Sequence, residues 1–67
     1  MKICEFTKPE LEHFREQCNF TNAEMALFDY RARDIPLEQC AENMNVSMGT
    51  VYRISQKVNR KIKRVEA

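Results

Sequence analysis

Leu37-Glu38-Gln39-Cys40-Ala41-Glu42-Asn43-Met44-Asn45-Val46-Ser47-Met48-Gly49-Thr50-Val51-Tyr52-Arg53-Ile54 is the stretch on which the fold turns. It reads as two amphipathic helices joined by a tight turn. Leu37, Cys40, Ala41 and Met44 recur every three or four residues, the helical period. Asn45 follows, the non-glycine residue that best tolerates positive φ. Ser47 then offers a hydroxyl to the free N–H groups that open a second helix. That helix carries the apolar stripe Val51, Ile54, Val58, Ile62 and Val65, and nothing breaks it before about Val65.

Upstream, Asp34-Ile35-Pro36 separates this pair from an earlier helix. Asp34 can take a left-handed turn at modest cost. Pro36 cannot continue the helix before it but can start the next, which is expected over about residues 36–43. The earlier helix has the clearest start signal in the chain. Thr21 and Glu24 have capping-box spacing, and Phe20 and Met25 hold the two positions of a hydrophobic staple. It should run to about Arg33, with Met25, Leu27 and Phe28 in the core and Tyr30 half-buried. A first helix is expected from about Pro9, with Glu10 and Glu12 near the positive end of its dipole. Leu11, Phe14 and Cys18 share one of its faces. Ile3 and Phe6 precede it and should pack as an extended arm. The expectation is an all-α fold, a small four-helix domain. Residues 1–19 would form the arm and first helix, and residues 20–65 the core.

Composition agrees. Sixty-seven residues make one domain at most, with little room for a deep catalytic pocket. One glycine and two prolines are few turn residues, which disfavours a many-turned β architecture. Three cysteines, Cys4, Cys18 and Cys40, without Cys-x-x-Cys spacing argue against a disulfide framework. The start of the chain lacks the apolar run of a signal peptide, and no stretch approaches a membrane span. A cytoplasmic location without membrane association is therefore expected. His13 and the three cysteines fit no usual zinc spacing, so neither metal nor cofactor is implied. One histidine, no glycine-rich phosphate loop and no carboxylate-paired pocket leave no catalytic set, so the chain does not read as an enzyme. Glu38 and Glu42 lie four apart, most simply on a solvated helix face.

The net charge of +1 conceals an asymmetry. Residues 1–47 carry five cationic and nine anionic side chains, a net −4. Residues 48–67 carry Arg53, Lys57, Arg60, Lys61, Lys63 and Arg64 against Glu66 alone, a net +5. A basic final third points to a polyanion. The segment over residues 36–57 also has helix-turn-helix spacing: Ala41 is small where two helices cross, Asn45 turns the chain, and Val46 plugs the corner. Val51 and Ile54 would anchor the second helix on Cys40 and Met44. Its polar face, with Met48, Thr50, Tyr52, Arg53, Gln56 and Lys57, is then free to enter a DNA major groove N-terminus first. The candidate contacts to double-stranded DNA are Ser47, Met48, Gly49, Thr50, Tyr52, Arg53, Gln56, Lys57, Arg60 and Lys61. Backbone amides at Ser47 and Gly49, with Thr50, would meet phosphate. Tyr52, Arg53 and Gln56 would face bases, and Lys57, Arg60 and Lys61 would add charge along the backbone.

Phe20-Thr21, Glu24, Leu27-Phe28, Arg31-Ala32, Ala41-Glu42, Val46-Ser47 and Gly49-Thr50-Val51 resemble the C-terminal helix-turn-helix of bacterial sigma factors, region 4, and equally the LuxR-type DNA-binding domain. The resemblance covers about residues 20–64. It implies a recognition helix from about Met48, promoter or operator DNA as partner, and a role in transcription regulation. The chain departs from the family at Asp34 and Asn45, where glycine is usual. Free-standing chains of this shape are similar to small phage-encoded regulators of bacteria. The alternative function is a protein-interaction module that binds RNA polymerase or another regulator without reading DNA. Val58, Ile62 and Val65 continue the stripe beyond the turn motif and are expected to pack on Leu11 and Phe14. A homodimer seam along the C-terminal helix is the alternative.

Overall fold

A computed structural model describes residues 2–66. They form a 3-10 turn at Ile3–Glu5 and four helices: α1 (Lys8–Gln17), α2 (Asn22–Ala32), α3 (Leu37–Met44) and α4 (Met48–Glu66). There is no strand among the described residues, so the fold is all-α. None of these helices is long and apolar enough to cross a membrane.

The helix starts follow side-chain chemistry. At α2 the Thr21 hydroxyl accepts the Glu24 N–H at 3.3 Å, and the Glu24 carboxylate accepts the Thr21 N–H at 2.9 Å. The same reciprocal pair forms between Thr7 and Glu10, so α1 opens at Lys8, one residue before the expected Pro9. That Thr7-x-x-Glu10 signal stands in the sequence as plainly as the one at Thr21, and it places Pro9 inside the first turn rather than at the start. Pro36 precedes α3 as its N-cap residue and lies just outside the helix it was expected to begin.

Two helix ends share one device. At the end of α3, Asn45 sits at φ 56°, its N–H reaches Glu42 O at 3.1 Å, and the Val46 N–H reaches Ala41 O at 3.0 Å. At the end of α2, Asp34 sits at φ 61°, its N–H reaches Arg31 O at 3.0 Å, and the Ile35 N–H reaches Tyr30 O at 3.1 Å. Both are Schellman closures, in which a left-handed residue turns the last carbonyls onto the next two amides. Asp34 and Asn45 therefore supply the positive φ that glycine would otherwise provide. The Arg31 guanidinium adds a bond to Ile35 O at 2.7 Å.

The core joins all four helices and the 3-10 turn. Phe28, Cys40, Val51 and Ile62 are fully buried, with Leu27, Val58, Phe14, Cys18, Ala41 and Ile3 around them. Ile54 and Met44 pack against this cluster half-buried rather than inside it. Met25 is half-buried, and Phe20 sets its ring 5.1 Å from that of Phe28. Tyr30 is half-buried, as its amphipathic ring suggests. The N-terminal segment is not an extended arm. Its 3-10 turn, closed by Phe6 N–H to Ile3 O at 3.1 Å, folds the buried Ile3 onto α2, and Phe6 meets Phe14 at 4.9 Å.

The long α4 packs on α2, α3 and α1. Ile62 is 0% and Val58 1% exposed within the single chain, so these two are covered by the protein's own helices. Val65 lies beside Phe14, Pro9 and His13 of α1. Leu11 lines a groove with Asp29, Ala32 and Arg33 at the edge of α2. Arg15 bridges that groove. It gives two bonds to Asp29 at 2.8 and 3.0 Å, reaches Glu12 at 3.3 Å, and lies 5.7 Å over the Phe28 ring.

Candidate nucleic-acid interface

The start of α4 is capped and open. The Ser47 hydroxyl oxygen accepts the Thr50 N–H at 3.2 Å and donates its proton to Thr50 Oγ1 at 3.0 Å. The Ser47 carbonyl takes the Val51 N–H at 3.0 Å. Ser47 and Gly49 are exposed, and Met48 and Thr50 are half-buried. A Cβ added at Gly49 would lie 3.9 Å from Ser47 Oγ with nothing nearer, and φ there is not positive. The fold therefore does not require glycine at this point. Gly49→Ala should stabilise the domain by up to ~1 kcal/mol, read from chemical denaturation. If the bare backbone serves close approach to phosphate, the same change weakens DNA binding. A variant that gains stability and keeps full binding would remove phosphate approach as the reason for Gly49.

Farther along, Arg53, Lys57, Arg60 and Arg64 are all exposed. Steps of four, three and four residues keep them in one row down the helix. The row spans about 16 Å at 1.5 Å per residue. It lies away from the buried Val51, Val58 and Ile62, and no acidic residue of α4 precedes Glu66. Gln56 and Tyr52 are exposed along one flank of it. Arg64 belongs to this row and is an addition to the candidate contacts expected from sequence. Its separation of eleven residues from Arg53, three helical turns, was the available signal.

Lys61 does not belong to the row. Its ammonium is committed to the protein, ion-paired with Glu24 Oε1 at 2.5 Å and bonded to the Asn19 carbonyl at 3.1 Å. It stands at the border between the charged face and the seam, turned toward the start of α2. Lys61, expected along a DNA backbone, is thus paired within the fold in this structure. Glu24 is 4% exposed. Burial pushes its carboxyl up, but the Lys61 ammonium, the Thr21 N–H and the more distant charge of Lys57 outweigh that and hold it below its ordinary value.

Cys18 and Cys40 are buried, and burial pushes both thiols up, which keeps them protonated and poorly nucleophilic. The Cys4 thiol donates to Asp34 at 3.6 Å, and His13 is exposed beside Phe14. Among the described residues, no three His, Cys, Asp or Glu side chains come together as a metal site. Glu38 and Glu42 are exposed on α3, beside the turn and Ser47. Compared with family models, curated proteins and solved structures, the chain finds no match.

Proposed function

We propose that this protein is a sequence-specific, double-stranded DNA-binding regulator of transcription in which α3 and α4 act as a helix-turn-helix. The supporting observation is the uninterrupted cationic row Arg53–Lys57–Arg60–Arg64 on the exposed side of a helix whose other side is the core seam. A helix presented this way can enter the major groove, with its capped N-terminus toward phosphate and its first exposed turns toward base edges. Arg53 suits a bidentate contact to guanine and Gln56 one to adenine. Lys57, Arg60 and Arg64 suit phosphates, which give affinity without sequence information. Resemblance to sigma region 4 and LuxR-type domains points the same way.

The two groups of residues should respond differently to mutation. Arg53→Ala should cost about 1–3 kcal/mol on the preferred site and relax base choice at one position. Lys57→Ala should weaken all sequences alike and reduce the salt slope by about 1. Competition binding with single-base variants of a library-selected site separates the two. If Arg53→Ala leaves both affinity and base preference unchanged, the recognition face is misassigned.

A further inference from the structure

We infer that Tyr52 is a specificity residue that reads thymine through its C5-methyl group. The inference rests on α4 lying in the major groove, and adds which base its aromatic side chain selects. Tyr52 is 54% exposed, alone among the large hydrophobic side chains of the described residues. The seam of α4 runs through Val51, Val58 and Ile62, on another side of the helix, so the ring adds little to the core. It stands one turn after Met48 and one turn before Gln56, in a single i, i+4, i+8 row. That row flanks the cationic one. It is apolar at its start and carries an amide at its end.

The chemistry of the row favours A·T pairs. In the major groove adenine offers N7 and N6–H₂, which suit a glutamine amide, and thymine offers an apolar methyl group found on no other unmodified base. Tyr52 and Gln56 lie about 6 Å apart along α4, less than two base-pair steps of about 3.4 Å each. With Gln56 on an adenine, the Tyr52 ring therefore falls on the same pair or its near neighbours, where a thymine methyl can pack on its face. A phenol ring has large apolar area and few rotamers to freeze, which suits a contact of shape rather than charge.

The test replaces thymine by deoxyuridine. Duplexes are first recovered with the full chain from a random-sequence library. Each thymine is then exchanged for uracil, which keeps every Watson–Crick bond and removes only the methyl. Wild-type protein should lose about fourfold in affinity at one or two positions, the value of one methyl withdrawn from contact. Tyr52→Ala should bind thymine and uracil duplexes alike, and Tyr52→Phe should keep the wild-type discrimination. Both variants should keep the wild-type salt slope and circular dichroism, since the ring is exposed. The inference is overturned if no uracil exchange weakens the wild type, or if Tyr52→Ala retains the same methyl dependence. Salt-sensitive binding that ignores the methyl sinks the Tyr52 assignment and leaves DNA reading standing. Absence of any duplex complex removes both.

Discussion

Replacing Lys61 by methionine will cost the domain about 3 kcal/mol at neutral pH, the lower end of the range for a buried ion pair that loses one partner. The lower end applies because the Lys61 side chain keeps 26% of its exposure, whereas that of Glu24 keeps 5%. A core of this size supplies only about 3–5 kcal/mol of net stability, so the variant should keep only about 0–2 kcal/mol at neutral pH. The pH dependence identifies the cause. In the wild type the Glu24 carboxyl is held below its ordinary value, so its contribution is complete above the ordinary carboxylate range and is lost as pH falls through the lower folded value. Without Lys61, burial acts with less opposition and raises the folded value. The variant then loses less stability than the wild type as the solution is acidified. Urea denaturation at neutral and mildly acidic pH measures both slopes, and Lys61→Arg should recover most of the loss. Parallel pH profiles for wild type and Lys61→Met would show that the pair does not hold α4 to α2.

Ile62→Glu should abolish the fold. Ile62 is 0% exposed within one chain, and its neighbours on the seam, Val58 and Val51, are covered as completely. A carboxylate placed there meets no cation from the seam and costs several kcal/mol even after protonation. That approaches or exceeds the whole stability of a domain this small. Circular dichroism should therefore report an unfolded chain, while Ile62→Val should cost only about 0.5–1.5 kcal/mol and stay folded. The homodimer seam predicts something else: Ile62→Glu would turn a dimer into a folded monomer, visible by sedimentation. That outcome would mean that α1 does not cover the end of α4.

The contrast between Ile62 and Lys61 shows what the sequence made legible. Periodicity identified the buried side of α4 because burial follows the helical repeat, and Val51, Val58 and Ile62 obey it. It did not say which neighbour each residue meets. Leu11 and Phe14 share a face of α1, yet Leu11 borders a groove with Asp29 and Ala32 of α2 while Phe14 lies beside Val65 of α4. Local chemistry was legible wherever it acts within a few residues: Thr21 with Glu24, Ser47 with Thr50, and the left-handed Asp34 and Asn45. Thr7 with Glu10 is equally local, three residues apart, and carries the same capping-box spacing. Lys61 was beyond such reasoning. In sequence it is one cation in a basic run, and only the fold brings it to a carboxylate 37 residues away. The compact 3-10 turn at Ile3 was hidden for a related reason: three residues carry no period, and burial on α2 decides their shape.

DNA reading by α4 is tested most directly by the salt dependence of binding to duplex DNA. The full chain would be titrated onto a labelled duplex, selected from a random library, at salt concentrations from about 50 to 200 mM. Each phosphate neutralised contributes about −0.9 to the slope of log K against log salt. With Lys57, Arg60 and Arg64 on phosphates, the slope should be about −3, and more negative if Arg53 also sits on one. Reversing Lys57 and Arg60 to glutamate should flatten it and leave the fold intact, since both side chains are exposed. No binding at the lowest salt, or an affinity that barely changes across the range, would contradict a DNA-reading α4 and favour a partner held by apolar protein contacts.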